Sequence, residues 1–515
     1  MAVLERRSSM DKNQLLSDNP KTIAEGLQAA IAQDRSSPAK EQAREGVRYY
    51  DGVHDILKNR VFYIDDNGVL REDKFASNIR IPHQFLTEQV DQKTQYLLSN
   101  DMAFETEDET LNTYLEEYYD EDFQLFLQEV VEGGSQKGFE YVYARTNSND
   151  RLCFQVADSL CVFPIYNDAN ELERLCRHYD KEIYKEGKAI TITIAEVWDD
   201  KQTWYFKAEK GKAFKVDADR EMNPKPHIVA QNEVGEKASR DYGQIPFYRY
   251  KNNQKEFSDL RPIKALIDDY DLMNAFMSNN LQDFAEAIYV VSGFQGDDLS
   301  KLRQNIKGKK VVGTGTGGGL DIKTVTIPVE GRKTKMEIDK ENIYKFGMAF
   351  DSTQIGDGNI TNIVIKSRYT LLNMKANKTE VRLQAMMKWI NQMVVDDINR
   401  RYNTSYKASE VKFTFTREVM VNENDLVNNE KAEAETKQIL INTILTAATR
   451  LDDETILKLI CEQFELNWEE VQEAIETQEY TSGLADDTDP EEVLINGNGA
   501  EQVAEGTGAV IGAQV

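Results

Sequence analysis

Three glycines in the stretch KKVVGTGTGGGLDI, Lys309 to Ile322, are spaced as G-x-G-x-x-G: Gly313, Gly315 and Gly318 stand behind a short apolar run. In a dinucleotide-binding loop that spacing works because a helix opens at the third glycine and aims its free N–H groups at a pyrophosphate. The residues that follow here are LDIKTVTIPV, in which Val325, Ile327 and Val329 alternate with Thr326 and Pro328. A period of two predicts a strand, and Pro328 places it at a sheet edge or strand end. The loop is therefore expected to join two strands as a flexible hairpin or irregular β connection. Without its helix the motif is weak evidence for a nucleotide.

Other groupings offer less. The four histidines (His54, His83, His178, His227) are scattered, and the four cysteines (Cys153, Cys161, Cys176, Cys461) show no C-x-x-C spacing. Neither set has the spacing of a metal site, and the thiols read as the reduced cysteines of a cytosolic protein. Asp357, Gly358 and Asn359 resemble part of a calcium loop but lack the ligand spacing of a twelve-residue loop. G-x-S-x-G, H-E-x-x-H and G-x-x-x-x-G-K-[ST] are all missing. The acidic run from Glu116 to Asp122 reads as a solvated helix face. No catalytic residue, metal ligand or cofactor is expected.

Charge narrows the field further. The chain carries 62 basic and 89 acidic residues, a net −27, and 22 acidic against 4 basic residues lie from Glu423 onward. Affinity for phosphate comes mostly from Lys and Arg, so an acidic C-terminal third suits a surface that must not grip nucleic acid. A solvated helical domain kept soluble by its charge would look the same. With 40% apolar residues, a mean hydropathy of −0.59 and no apolar run of ~18 residues, neither secretion nor a membrane span is expected.

The elements follow from periodicity. Residues 1–40 are expected to begin as a mobile arm. Two helices lie between Ala24 and Leu57, the second opening at Ser36, Ser37 and Pro38. A hairpin turns at Asn67 and Gly68. The next helix presents Phe85, Leu86, Gln89, Val90, Lys93, Tyr96 and Leu97 on one face, and a single helix is expected from Thr110 to Glu132, stopping at Gly133-Gly134. Gly138 to Asn253 reads as one antiparallel β domain of about seven strands. Then Leu260, Ile263, Ile267, Tyr270, Asn274, Met277, Leu281, Phe284, Ile288 and Val291 repeat at spacings of 3 and 4, all but Asn274 large apolar or aromatic. This predicts one helix of about 32 residues, roughly 48 Å long. Its seam either seeks a partner helix, with Asn274 setting register, or is buried in a monomeric core. A helix near Lys333 to Phe350, a loop, a longer helix from Ile363 to Asn399 and a returning strand follow. Residues 430 to 480 read as an acidic helical domain and Ser482 onward as disordered.

That order, with VRYYDGVHDIL (Val47 to Leu57), IPHQFLTEQVDQKTQYLLSN (Ile81 to Asn100), DDYDLMNAFMSNNLQDFAEAIYVVSG (Asp268 to Gly293) and EVKFTFTREVMVNENDL (Glu410 to Leu426), resembles the portal proteins of tailed bacteriophages, the siphophage branch. The resemblance implies an α+β portal fold: a wing of helices and antiparallel β over 41–257, a first stem helix over 258–292, and a clip over 293–329. A second stem helix over 330–350, a tunnel loop over 351–362, and a long wing helix with its strand over 363–425 follow. An α-helical crown over 426–481 and a tail over 482–515 complete it. It implies a ring of twelve subunits at one capsid vertex, assembled in the host cytoplasm, through which double-stranded DNA passes without sequence specificity. The implied partners are the terminase large subunit, a head-completion adaptor, and the major capsid and scaffolding proteins; no membrane is involved. Gln354, Ile355, Gly356, Asp357, Gly358, Asn359 and Ile360 would face DNA. Gly313, Gly315, Gly318, Val325 and Ile327 would build the clip, and the ten seam residues the stem. A different ring-forming capsid or tail protein, and a nucleotide-binding enzyme, are the competing readings.

Overall fold

The computed structural model describes residues 12–417, apart from 66, 74–75, 148–149, 186, 210, 232–236, 284–287, 293–315, 324–328 and 352–361, and scattered helical residues from 431 to 471. Two compact units divide the chain, Met1–Val421 and Asn422–Val515. Gln354 to Ile360, Gly313, Gly315, Val325, Ile327 and Phe284 lie outside the described residues, as does the tail from 482.

The first unit is α+β. Its chain begins with α1 (Lys12–Leu15), α2 (Pro20–Arg35) and α3 (Pro38–Tyr50). Asn19 caps α2 by accepting from Lys21 N at 3.0 Å, and Ser37 caps α3 from the position before Pro38. From residue 12 onward the expected mobile arm over 1–40 is corrected here, because Leu15, Ile23, Leu27 and Ile31 are buried at helical spacing against a sheet; residues 1–11 lie outside the described residues. Burying each such side chain contributes about 1.5–3 kcal/mol, which outweighs the entropy of a free arm.

Strands β1 (Phe62–Ile64) and β2 (Leu70–Glu72) form the expected hairpin, with Gly68 at φ +77° and Asp65 Oδ1 accepting from Asn67 N and Val69 N. Helix α4 (Phe85–Leu97) buries every residue of the predicted face. Strand β3 (Ala103–Glu105) precedes two helices where one is expected: α5 (Glu109–Glu116) and α6 (Glu121–Lys137). The chain breaks because Asp120 caps α6, accepting from Phe123 N at 3.1 Å. Helix α6 then runs through Gly133-Gly134 and stops only at Gly138, which is left-handed at φ +92°.

The β region also differs. It holds two main sheets rather than one domain of seven strands. Strands β4 (Phe139–Thr146), β5 (Leu152–Ala157) and β14 (Phe247–Lys251) make a three-stranded sheet in the order β14-β4-β5. Strands β6 (Val162–Tyr166), β7 (Leu172–Lys185), β8 (Lys188–Trp198), β9 (Gln202–Glu209) and β10 (Lys215–Val216) pair in sequence order, and β11 (Lys225–Pro226) pairs with β9. The hairpin β12 (Ile228–Gln231) and β13 (Lys237–Arg240) stands apart. The larger sheet packs on α1 and α2, while the smaller joins α5, α6 and the long helix below. A cluster of Phe139, Tyr141, Val162, Leu175, Trp198 and Phe247 links the two.

Next along the chain come α7 (Lys264–Asp283), strands β15 (Ile288–Ser292) and β16 (Gly319–Lys323), and α8 (Val329–Gly347). The 41-residue α9 (Asn362–Tyr402) follows, roughly 60 Å long. It buries Leu372, Leu383, Met386, Ile390 and Met393 in the largest core. The predicted returning strand is β17 (Lys412–Thr414), antiparallel to β3. In the second unit, residues 436–444 are helical and Lys458 Nζ lies 4.9 Å from the centre of the Trp468 ring. Among the described residues no helix is long and apolar enough to cross a membrane.

Candidate functional site

The two helices on either side of the glycine-rich stretch, α7 and α8, are the elements on which the expected function depends. Leu260, Ile263 and Ile267 sink the root of α7 into a core with Tyr49, Leu86, Val90 and Ile343. Leu260 and Ile263 lie in the turns just before the helix. Phe85 meets Tyr270 edge-on at 5.1 Å between ring centres and Tyr344 at 6.0 Å, which ties α4 to both helices. Lys335 of α8 pairs with Asp269 of α7 at 2.5 Å, and Arg332 Nη1 donates to Phe276 O at 3.3 Å.

The expected ten-residue seam divides along its length. Leu260, Ile263 and Ile267 are buried, Tyr270, Asn274 and Met277 are half-buried, and Leu281 is 47% exposed. Ile288 and Val291 are not on the helix at all. They belong to β15, whose residues pair with β16 as Ile288↔Lys323, Val291↔Leu320 and Ser292↔Gly319. The reason is local: Ile288-Tyr289-Val290-Val291 is rich in β-branched side chains, which lose rotamer freedom in a helix and suit a pleated strand. Two members of that run fall at heptad spacing by coincidence.

The pairing of β15 with β16 answers the glycine motif. Directly after Gly318 the chain enters β16, so no helix opens where the dinucleotide motif requires one. Gly317, at φ +83°, takes the left-handed turn that delivers the chain to Gly319, whose N–H donates to Ser292 Oγ at 3.1 Å. The strand β16 covers Gly319 to Lys323, from Leu320 on within the stretch that the alternation predicts to be extended. Val329, expected at a strand end, instead opens α8, and Pro328 just before it cannot hinder a helix that has yet to start.

Asn274 is also engaged within its own chain, its Nδ2 standing 3.3 Å from His83 Nε2. His83 belongs to a buried network that the scattered histidine positions conceal. Asp271 of α7 is 0% exposed and accepts from His54 Nδ1 and His83 Nδ1, each at 2.7 Å, and from His83 N at 3.0 Å. His54 Nε2 faces Tyr49 O at 3.1 Å, so both of its ring nitrogens meet oxygen partners. Burial pushes the Asp271 carboxyl up, but the hydrogen bonds from His54 and His83 outweigh it and hold it below the usual carboxylate range. Beside this network Lys264 Nζ donates to Asp55 at 3.0 Å and Asp268 at 2.7 Å. The root of α7 is thus fixed by polar contacts 188 to 217 residues apart in sequence.

Several large apolar side chains of these elements and of the first hairpin are exposed. Phe276 and Leu281 on α7 and Ile338 and Phe346 on α8 are exposed, and so are Phe62, Ile64, Val69 and Leu70 on the β1–β2 hairpin. A model of phage portal proteins of the SPP1 Gp6-like type matches residues 33–483. The chain belongs to the phage portal protein family. It is similar to the portal protein of Bacillus phage SPP1, 27% identical over 432 residues that span 83% of this chain and 84% of that protein. It is also similar to the portal protein of Clostridium phage phiCD119, 26% identical over 434 residues, 81% and 89% of the two chains. Among solved structures, one titled as the neck of the native GTA particle computed with C12 symmetry matches 73% of this chain and 89% of its own, at 12% identity and a TM-score of 0.32. The portal family is structural rather than enzymatic, and its members form a homo-oligomeric ring in the capsid of the virion.

Proposed function

We propose that this chain assembles as a twelve-subunit ring at one vertex of a phage capsid, there forming the conduit for double-stranded DNA in packaging and ejection. The same ring is the docking platform for the terminase large subunit and head-completion proteins, and it meets the major capsid and scaffolding proteins during assembly in the host cytoplasm. The observation that carries this reading is the portal-family match over residues 33–483. Residues 41–257 serve as the wing, together with α9 and β17. Helices α7 and α8 are the two stem helices, with the first ending at Asp283 rather than at 292. Strands β15 and β16 carry the clip, residues 351–362 the tunnel loop, and 426–481 the crown.

A conduit must let DNA slide, and each phosphate neutralised by a fixed Lys or Arg adds a holding interaction. A chain of net charge −27 suits that requirement. Electron microscopy of the purified protein should show wide-bored rings, and those rings should support DNA packaging once terminase and capsid shells are supplied. Native mass spectrometry that finds only monomers at micromolar concentration, or ATP turnover by the isolated chain, would overturn the reading.

A further inference from the structure

An open cleft of about 510 Å³ lies where α4, residues 252–262, the end of α8 and α9 meet, and its charges do not balance. At its floor Asp259 accepts from Lys93 Nζ at 2.7 Å and stands 3.1 Å from Lys375 Nζ. The Lys93 side chain is fully buried and that of Lys375 nearly so. Their remaining acceptors are neutral: Asn252 Oδ1 at 3.0 Å from Lys93 Nζ and Gly347 O at 2.9 Å from Lys375 Nζ. Two cations therefore share one carboxylate away from water. Arg261 and Lys378, both exposed, line the same cleft. Arg261 donates to the neutral Gln42 Oε1 at 3.2 Å with its guanidinium 3.5 Å from the centre of the Phe257 ring, and Lys378 has no ion-pair partner among the described residues. The lining holds four cations against one anion.

We propose that this cleft binds a phosphate-type oxyanion. A buried cation without its counter-charge is unfavourable, and at the floor a deficit of one charge is built into the fold, with Arg261 and Lys378 adding two more at the rim. Burial pushes the Lys93 ammonium down to about 8, with Asp259 opposing the fall and Lys375 adding to it. One further carboxylate would offset a single charge of the formal excess of three, whereas a phosphate dianion offsets two. The exposed Lys378 ammonium, with three donors, and the Arg261 guanidinium, with spare N–H groups, match several oxygens at once, while the buried Lys93 and Lys375 add positive charge beneath them. The wall formed by Phe257, Phe346 and Met348 lowers the local dielectric and strengthens each contact. The volume lies in the ~300–1,000 Å³ range of small-ligand sites. This inference stands apart from the ring reading, because every group in it belongs to one chain.

Isothermal titration of the full chain with inorganic phosphate, in chloride buffer, tests the site. Wild type and Lys388→Glu, an exposed change elsewhere on α9, should bind alike. The double variant Arg261→Glu/Lys378→Glu should bind at least tenfold more weakly with an unchanged melting temperature in phosphate-free buffer, and Lys378→Gln alone should fall between. Equal affinity in all four proteins sinks the proposal. A short DNA duplex that displaces bound phosphate would make backbone phosphate the source, and one that leaves it in place would make the ligand a free anion. If wild type binds no phosphate and the double variant loses ring assembly instead, the cleft takes a carboxylate from a second copy and the proposal is wrong.

Discussion

Asp259 holds a position where counting charges predicts the order of mutational effects. Burial alone would raise its carboxyl, yet Lys375 and Lys93 together hold it well below the ordinary range. Asp259→Asn would leave two buried ammonium groups facing neutral acceptors, so a loss of about 3–5 kcal/mol is expected from urea unfolding. Lys93→Met leaves a balanced Lys375–Asp259 pair and should be the milder change, by at least 1 kcal/mol; the reverse order would show that packing, not charge, governs this site. His178 supplies a pH test. It is 1% exposed, and burial, reinforced by Arg35 and Lys40, pushes it down to about 4. Because its folded pKa lies below the ordinary 6.5, its contribution is complete above about pH 6.5 and is lost as the unfolded chain takes up the proton first on the way down to 4. Between pH 7 and 4.5 the wild type should lose ~2–3 kcal/mol more stability than His178→Gln, and parallel curves would place His178 outside the acid transition. Neither site could be read from the sequence. The partners of Lys93 are 159 and 166 residues away, and nothing local marks a lysine on an apolar helix face as buried rather than snorkelling to water.

Elements were more legible than residues where local chemistry and burial agree. Helix α4 has its full predicted face inside, and α3 starts at its Ser37-Pro38 signal. Legibility fails where two local patterns compete. The heptad spacing through Ile288 and Val291 and the β-branched character of the same run point to different structures, and pairing with β16 decides for the strand. It fails again at the arm, where α2 looks unremarkable until a sheet arrives to cover Ile23 and Leu27. The β1–β2 hairpin poses the opposite problem, being legible as an element yet without a visible reason to exist. Two isolated strands are marginal in water. The register sets Phe62 and Ile64 on one face with Leu70 and Glu72, and Ile64 and Leu70 are 70% and 64% exposed. A closed ring requires each subunit to offer one surface to the next and a different one to the last. The hairpin is an expected part of that contact. Ile64→Asp/Leu70→Asp should leave the melting of the monomer within ~0.5 kcal/mol of wild type, as exposed positions usually do, while the ring fraction in native mass spectrometry falls sharply. Rings formed at wild-type concentrations would leave the hairpin out of the subunit contact.

At the scale of the whole molecule, charge and symmetry act together, because a ring multiplies any residue near its axis by the number of subunits. Residues 351–362, STQIGDGNITN among them, join α8 to α9 and are the segment that the portal resemblance assigns to the bore. Gln354, Ile355, Asp357, Asn359 and Ile360 are neutral or acidic, so a collar of them offers no cation to hold a phosphate. Asp357→Lys would change each subunit by two units of charge and place a ring of ammonium groups around the duplex. Ring assembly should be untouched, since the substitution lies between the helices and not on the buried root of α7. Packaging should slow or stall, because each neutralised phosphate releases counterions and adds a holding interaction. The defect should ease as ionic strength rises from 0.05 to about 0.2 M and the Debye length falls below ~10 Å, whereas Asp357→Asn should package close to the wild-type rate at every salt concentration. Variant rings that assemble normally and package at the wild-type rate in low salt would show that this segment does not meet the DNA.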